Sequence, residues 1–211
     1  MLVAARAGAW SQSGAPLPYD AEVEWIESTG AEYIIIEACR YLGIDFDFTV
    51  PESAASTVNY YYLGRRDTSF SNIDSVSFQY RRSNGTKVSS AGYNTVIDYV
   101  ITKDRKNVSV HGTMVTIGTK QLTLTGAWGA NITNPNIAIF GYINVATNEV
   151  FCSPCIIHGL KIYDEAVGDL IRDLIPVRVG SVGYMYDKIS GQLFGNAADS
   201  GAFIIGPDKT T

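Results

Sequence analysis

Tyrosine is the first residue type here that could do chemistry on a partner. The chain holds 13 of them, and Tyr60-Tyr61-Tyr62 with Tyr80 stands out. Aromatic faces stack on pyranose rings, so Tyr60, Tyr62 and Tyr80 are candidate carbohydrate-binding residues. On a strand, Tyr60 and Tyr62 share one face and Tyr61 takes the other. One of these faces is expected to be core, since tyrosine is common in sandwich cores and rims. Cys152-Ser-Pro-Cys155 has redox or half-zinc spacing. A zinc site needs four ligands, and the two histidines, His111 and His158, stand alone. A thioredoxin-like pair opens a helix after a strand; this one precedes the strand-like run 156–163. With Cys39 the cysteine count is odd, which argues against a disulfide framework. The three are read as free thiols. No Ser–His–Asp or Cys–His set can be built from two isolated histidines. No metal ligand set and no cofactor are therefore assigned.

The elements that must position these residues are strands. Ile44, Phe46, Phe48 and Val50 alternate with Asp45, Asp47 and Thr49, the pattern of a strand with one buried face. Two short strands, 22–26 and 32–36, flank the turn Ser28-Thr-Gly30. Residues 58–63 and 76–82 are further strands, and Asn84-Gly85 is a hairpin signal because both residues tolerate positive φ. Residues 93–102 and 107–117 follow, joined by a turn at 104–106. Residues 121–125 and 136–143 come next. The segment 164–174 has the only helical character, but Gly168 interrupts it, so a hairpin is expected. About a dozen short strands between turn clusters predict an antiparallel sandwich. The last hairpins, within 156–196, are expected to lock it.

Residues 1–20 are rich in Ala, Gly, Ser and Pro and carry no period. They read as an N-terminal arm ahead of one domain, 21–211. A neighbouring subunit is the expected holder of such an arm, with Leu2, Val3 and Trp10 as assembly contacts. Arg6 breaks the apolar start and no basic region precedes it, so no export signal is read. Sixteen basic against 21 acidic residues give a net charge of −5. No basic stripe is available for a phosphate backbone, so nucleic acid is not an expected partner. No apolar run reaches the ~18 residues of a membrane span.

Two blocks resemble a known family. Glu24-Trp-Ile-Glu-Ser-Thr-Gly-Ala-Glu-Tyr-Ile34 is similar to its opening pattern. Leu160-Lys-Ile-Tyr-Asp164, Leu170-Ile-Arg-Asp-Leu-Ile-Pro-Val-Arg178, Tyr184-Met-Tyr-Asp187 and Phe194-Gly-Asn196 are similar to its closing pattern. The family is the concanavalin A-like (laminin G-like) jelly roll of gut Bacteroidetes and their tailed phages. The blocks cover about a quarter of the chain. Asn107-Val-Ser-Val-His-Gly112 is compatible with the family's strand-then-Gly signature. Where the pattern carries an Asp and a Gly, this chain has Tyr33-Ile-Ile-Ile-Glu37, so no role of theirs is transferred.

The resemblance implies an all-β, antiparallel two-sheet jelly-roll sandwich, with the opening and closing strands paired. It implies a structural or attachment protein of a virion, or a carbohydrate-binding module on a bacterial surface. Other virion or surface subunits, reached through the arm, and glycans are the implied partners. Glycan-cutting members carry Glu-x-Asp-x-x-Glu on one strand, in keeping with two-carboxylate hydrolysis. Here Asp45-x-Asp47 lacks the third acid. Glu22-x-Glu24-x-x-Glu27 has a Glu at the central position and reads as solvent-facing acids on an edge strand. A glucanase is therefore the least favoured reading, and the protein is expected not to be an enzyme. Calcium is used by some family members; Asp98, Asp104, Asp164 and Asp187 read instead as turn acids.

Overall fold

The computed structural model describes residues 16–51, 59–66, 76–81, 85–90, 93–97, 104–124, 126–128 and 134–210. For residues 59, 76, 79–81, 85–90 and 93–97 the backbone alone is described. Among the described residues there are 19 strands and no helix. The first eight are β1 (Ala21–Glu22), β2 (Ile26–Ser28), β3 (Ile34–Glu37), β4 (Leu42–Thr49), β5 (Asn59–Arg66), β6 (Val76–Arg81), β7 (Gly85–Ser90) and β8 (Tyr93–Ile97). Then come β9 (Lys106–His111), β10 (Met114–Ile117), β11 (Lys120–Thr123), β12 (Asn136–Ile139), β13 (Gly141–Asn144) and β14 (Val150–Cys152). The last are β15 (Cys155–Asp164), β16 (Asp169–Val179), β17 (Val182–Asp187), β18 (Leu193–Phe194) and β19 (Ile204–Ile205).

They form two sheets. The larger runs β11-β10-β9-β4-β15-β16-β17-β18, with β1 on β16 and β2 between β15 and β19. The smaller runs β14-β13-β5-β6-β7-β8, with β12 joining β3 to β5. All pairings are antiparallel except β13 with β5. This is an all-β sandwich, compatible with a jelly roll.

Alternation builds the core. Ile44, Phe46 and Phe48 of β4 are buried, with Asp45 and Asp47 on the other face. Tyr62 and Phe78 meet them from the smaller sheet: Phe48 lies 5.3 Å from Tyr62 and 5.5 Å from Phe78 between ring centroids. Inner side chains of two sheets interdigitating in this way are what hold a sandwich together. Each large apolar side chain buried there contributes roughly 1.5–3 kcal/mol.

The two recognisable blocks are scaffolding. The Ser28–Glu32 corner carries the chain from the larger sheet to the smaller. Ser28 and Glu32 are both buried. The Glu32 carboxylate accepts from the Thr29 amide at 2.8 Å and from the Ser28 hydroxyl at 3.2 Å. Asp187, fully buried, accepts from the amides of Asp173 at 2.9 Å and Ile189 at 3.1 Å and from the Ser190 hydroxyl at 2.6 Å. Asn196 ties the tail to the start, its Oδ1 accepting from the Tyr33 amide at 3.2 Å. These polar groups are satisfied by the chain itself, as polar groups withdrawn from water generally are.

The ends of the chain pair as expected: Ala21 with Arg178, Ile26 with Ile157 and Ile205, and Val23 with Asp208. The segment 164–174 is the β15–β16 hairpin, turning at Gly168 with φ +80°. Three sequence expectations are corrected. Residues 22–26 are not one strand: β1 ends at Glu22 and β2 begins at Ile26. Residues 107–117 are not one strand; Gly112, at φ +54°, folds them into the β9–β10 hairpin. The turn at 104–106 does not join a hairpin, because β8 lies in the smaller sheet and β9 in the larger. Tyr19 and Asp20, assigned to the arm, dock on the sandwich. The Tyr19 ring packs edge-on to Tyr186 at 4.9 Å, and the Asp20 amide donates to the Arg178 carbonyl.

Candidate functional site

The strand β5 decides where aromatic surface is shown. Its register turns Tyr60 and Tyr62 inward, where they are 8% and 0% exposed. Neither can offer a ring face to a sugar, which corrects their assignment as a platform. Tyr61 is on the opposite face, and there it finds partners that the sequence reading missed. Tyr142 of β13 stands 4.5 Å from it between ring centroids. Phe151 of β14 stacks on Tyr142 at 5.1 Å and an interplanar angle of 12°. The Arg66 guanidinium lies over Tyr61 at 4.7 Å and over Tyr142 at 5.1 Å. Phe151 is 45% exposed on the edge strand.

Local geometry explains why these rings meet. The chain runs antiparallel along β5 in β12, reverses at Phe140, and returns parallel to it in β13. Phe140 adopts φ +67°, an uncommon conformation for a bulky residue. It is held by full burial, by a ring contact with Phe203 at 4.9 Å, and by donation from its amide to the Tyr62 carbonyl. Gly141 follows because a side chain there would collide with the Phe151 backbone. The reversal sets Tyr142 beside Tyr61, and the β13–β14 pairing sets Phe151 directly opposite Tyr142. That pairing was the one available signal in the sequence: two aromatic residues equally placed about the 145–148 turn.

A different arrangement covers the outer face of the larger sheet. Asp45 accepts from Ser109 Oγ at 2.5 Å and from the Tyr163 phenol at 2.8 Å. His111 lies between two acids, with Nδ1 2.6 Å from Glu165 Oε1 and Nε2 3.3 Å from Asp45 Oδ1. Only the doubly protonated ring can donate to both. Burial pulls the His111 pKa down, but hydrogen bonds and charge from Glu165 and Asp45 outweigh it and the net shift is upward. Burial would raise the Asp45 pKa; the bonds from Ser109, Tyr163 and His111, with the imidazolium charge, bring it below the usual range. The Tyr163 phenol is pushed up to about 12 by burial and by Asp45, so it stays a donor. Asp47 is gripped by Arg105 through two bonds of 2.8 and 2.5 Å.

Asp45 and Asp47 share a groove of about 470 Å³ with Asn107, Ser109, Thr116, Gly159, Lys161 and Asp173. Carboxylates of a glycosidase pair need one member held protonated, with a raised pKa. Asp45 is shifted the other way, and Asp47 is ion-paired. Glu22, Glu24 and Glu27 do not form a triad: Glu22 is in β1, Glu27 in β2, and Glu24 lies between them outside both strands.

The remaining sequence candidates fall as follows. Cys152-Ser-Pro-Cys155 is the connection from β14 to β15, and all three cysteines are free thiols. Burial drives Cys155 well above the usual thiol range, which makes it unreactive. His158 accepts or donates to Thr49 Oγ1 at 3.0 Å and sits 3.1 Å from the Glu24 carbonyl. Asp164 and Asp187 serve their own turns, Asp164 accepting from the Ala166 amide at 3.0 Å. Among the described residues no three His, Cys, Asp or Glu side chains converge to hold a metal ion. Leu2, Val3, Trp10, Asp98 and the Tyr80 side chain lie outside the described residues.

Fold and site together define a class: a two-sheet β-sandwich with an aromatic strip on one outer face and a polar groove on the other. No protein-family model matches the chain, and no curated protein sequence matches it.

Proposed function

We propose that this protein is a non-enzymatic attachment module of the concanavalin A-like (laminin G-like) type, which binds glycans on the outer face of its smaller sheet. The observation that carries the reading is the strip Tyr61–Tyr142–Phe151 with Arg66 above it. Phe151, 45% exposed and backed by Tyr142 and Tyr61, offers apolar ring surface on which a sugar can stack, with the Arg66 guanidinium over the neighbouring rings as a donor to hydroxyls. The strip is placed by paired strands and by the fixed reversal at Phe140, so it is ordered before a ligand arrives, which lowers the cost of binding.

The resemblance of the two end blocks supports a virion component as the setting: capsid decoration, head fibre or tail-associated protein. Residues 1–15 would then act as the assembly arm through Leu2, Val3 and Trp10. The alternative setting is a bacterial surface protein, with the same glycan-binding face.

A glycan array probed with the full chain and with a Tyr142→Ala/Phe151→Ala variant tests the reading. Binding by the parent and its loss in the variant are expected. Equal binding by both proteins, or binding by neither, overturns it.

A further inference from the structure

We infer that Ser153 is the positioning residue of the aromatic strip: its hydroxyl holds Tyr61 in line with Tyr142 and Phe151, and so sets how tightly the strip binds a glycan. The inference rests on the proposed reading of the strip. Ser153 follows β14 and is 3% exposed, so it acts through its neighbours instead of on a ligand. Its Oγ accepts from the Tyr61 amide at 2.9 Å, and its own amide donates to the Phe140 carbonyl at 2.7 Å. The hydroxyl thus reaches β5, and the amide reaches the reversal that sets Tyr142.

The hydroxyl stands in for a strand. On one side of β5, Tyr61 lies opposite Gln79 of β6. On the other side, β12 pairs with β5 at Leu63 and Gly64, and β13 pairs with it at Arg65 and Arg66. Among the described residues no strand carbonyl meets the Tyr61 amide, and Ser153 Oγ is its acceptor. The pairing with β6 also shifts between Tyr61 and Leu63, so the ladder is irregular at the same point. Tyr142 and Phe151 are held differently. They sit directly opposite each other in the β13–β14 ladder, which carries their stack without outside help. Without the hydroxyl, the part-buried Tyr61 amide loses its partner and the 4.5 Å contact of Tyr61 with Tyr142 loosens, while the Tyr142–Phe151 stack stays. A ring that must be ordered on binding weakens the complex.

A glycan array read over a dilution series of the full chain gives a half-saturating concentration for each bound glycan. Ser153→Ala is expected to raise it about tenfold, the scale of one hydrogen bond. Ser190→Ala removes a hydroxyl bonded to the buried Asp187 in the closing hairpin, and is expected to leave it within about twofold. In spectra of the chain with ¹³C-labelled tyrosine and phenylalanine rings, Ser153→Ala is expected to shift the Tyr61 resonances and leave those of Phe151 in place. Should that variant lose its dispersed spectrum, Ser153→Cys puts a weaker acceptor at the same point and is read in the same way. Binding as tight as the parent's, equal weakening by Ser190→Ala, unmoved Tyr61 resonances, or a Phe151 shift as large as that of Tyr61 would each overturn this inference and keep the platform. No glycan bound by the parent would overturn both.

Discussion

On the outer face of the larger sheet, Asp45, His111, Tyr163 and Glu165 hold one another. On the outer face of the smaller sheet, Tyr61, Tyr142 and Phe151 lean on one another beneath Arg66. Both faces arise from the same two-residue alternation. The first uses its polar groups to bind β4, β9 and the β15–β16 turn into one unit. The second exposes apolar rings where the sheet ends at β14. A face whose charges are already answered by its own strands is poorly placed to do acid–base chemistry. A face of stacked rings still has area to cover, and that is the physical basis for looking for a partner there.

The comparison can be broken most forcefully within β5. Tyr62→Ala should cost about 3–5 kcal/mol of unfolding free energy, the range for removing a large ring from a core. Tyr61→Ala, one residue away, should cost less than about 1 kcal/mol while weakening glycan binding, because surface substitutions rarely do more. Urea denaturation of both variants measures this, and similar costs would mean that the two faces are not separated as described. Beneath both faces, Asp187→Ala should cost roughly 3 kcal/mol, since it strands the donors of Asp173, Ile189 and Ser190 in a buried site. A loss below about 1 kcal/mol would show that the closing hairpin does not depend on that carboxylate.

The charged face should respond to pH and the aromatic face should not. His111 has its pKa raised from an ordinary 6.5 in the folded state. The fold therefore binds this proton more tightly than the unfolded chain does. Its contribution is complete below 6.5 and fades as pH rises through the folded value. Asp45 is lowered from 3.8, so its contribution is present above 3.8 and is lost as pH falls through its folded value. The stability gap between the parent and His111→Gln should be widest between those limits and shrink in alkali. A gap that widens with rising pH would show that the ring is neutral in the fold. The smallest effect is expected from Arg105→Ala. Arg105 is 59% exposed, and a surface pair of this kind is worth about 1 kcal/mol or less, diminishing with salt.

Much of this was legible in the residues themselves. The alternation from Ile44 to Val50 gave the strand and its buried side. The hairpin at Gly168 and the pairing of the chain ends followed from turn chemistry and from the two end blocks. Glu32, Asp187 and Asn196 belong to those blocks, and the structure shows that they secure corners and turns. The recognisable part of the sequence is therefore the part that closes the fold. The platform was not legible in the same way. Tyr60 and Tyr62 looked like the exposed pair, and they are core.

From the sequence alone came the elements, their alternation and the sandwich, because a period of two and a glycine at a turn act within a few residues. Which side of β5 faces water was decided only by tertiary structure. Alternation says that Tyr60 and Tyr62 share a side; it takes Phe48 and Phe78 arriving from distant strands to make that side the inner one. The meeting of Tyr61 with Tyr142 and Phe151, and of His111 with Asp45 and Glu165, was likewise set by strand neighbours far apart in the chain. Contacts across a sheet depend on register, and register is fixed by the packing of the whole sandwich.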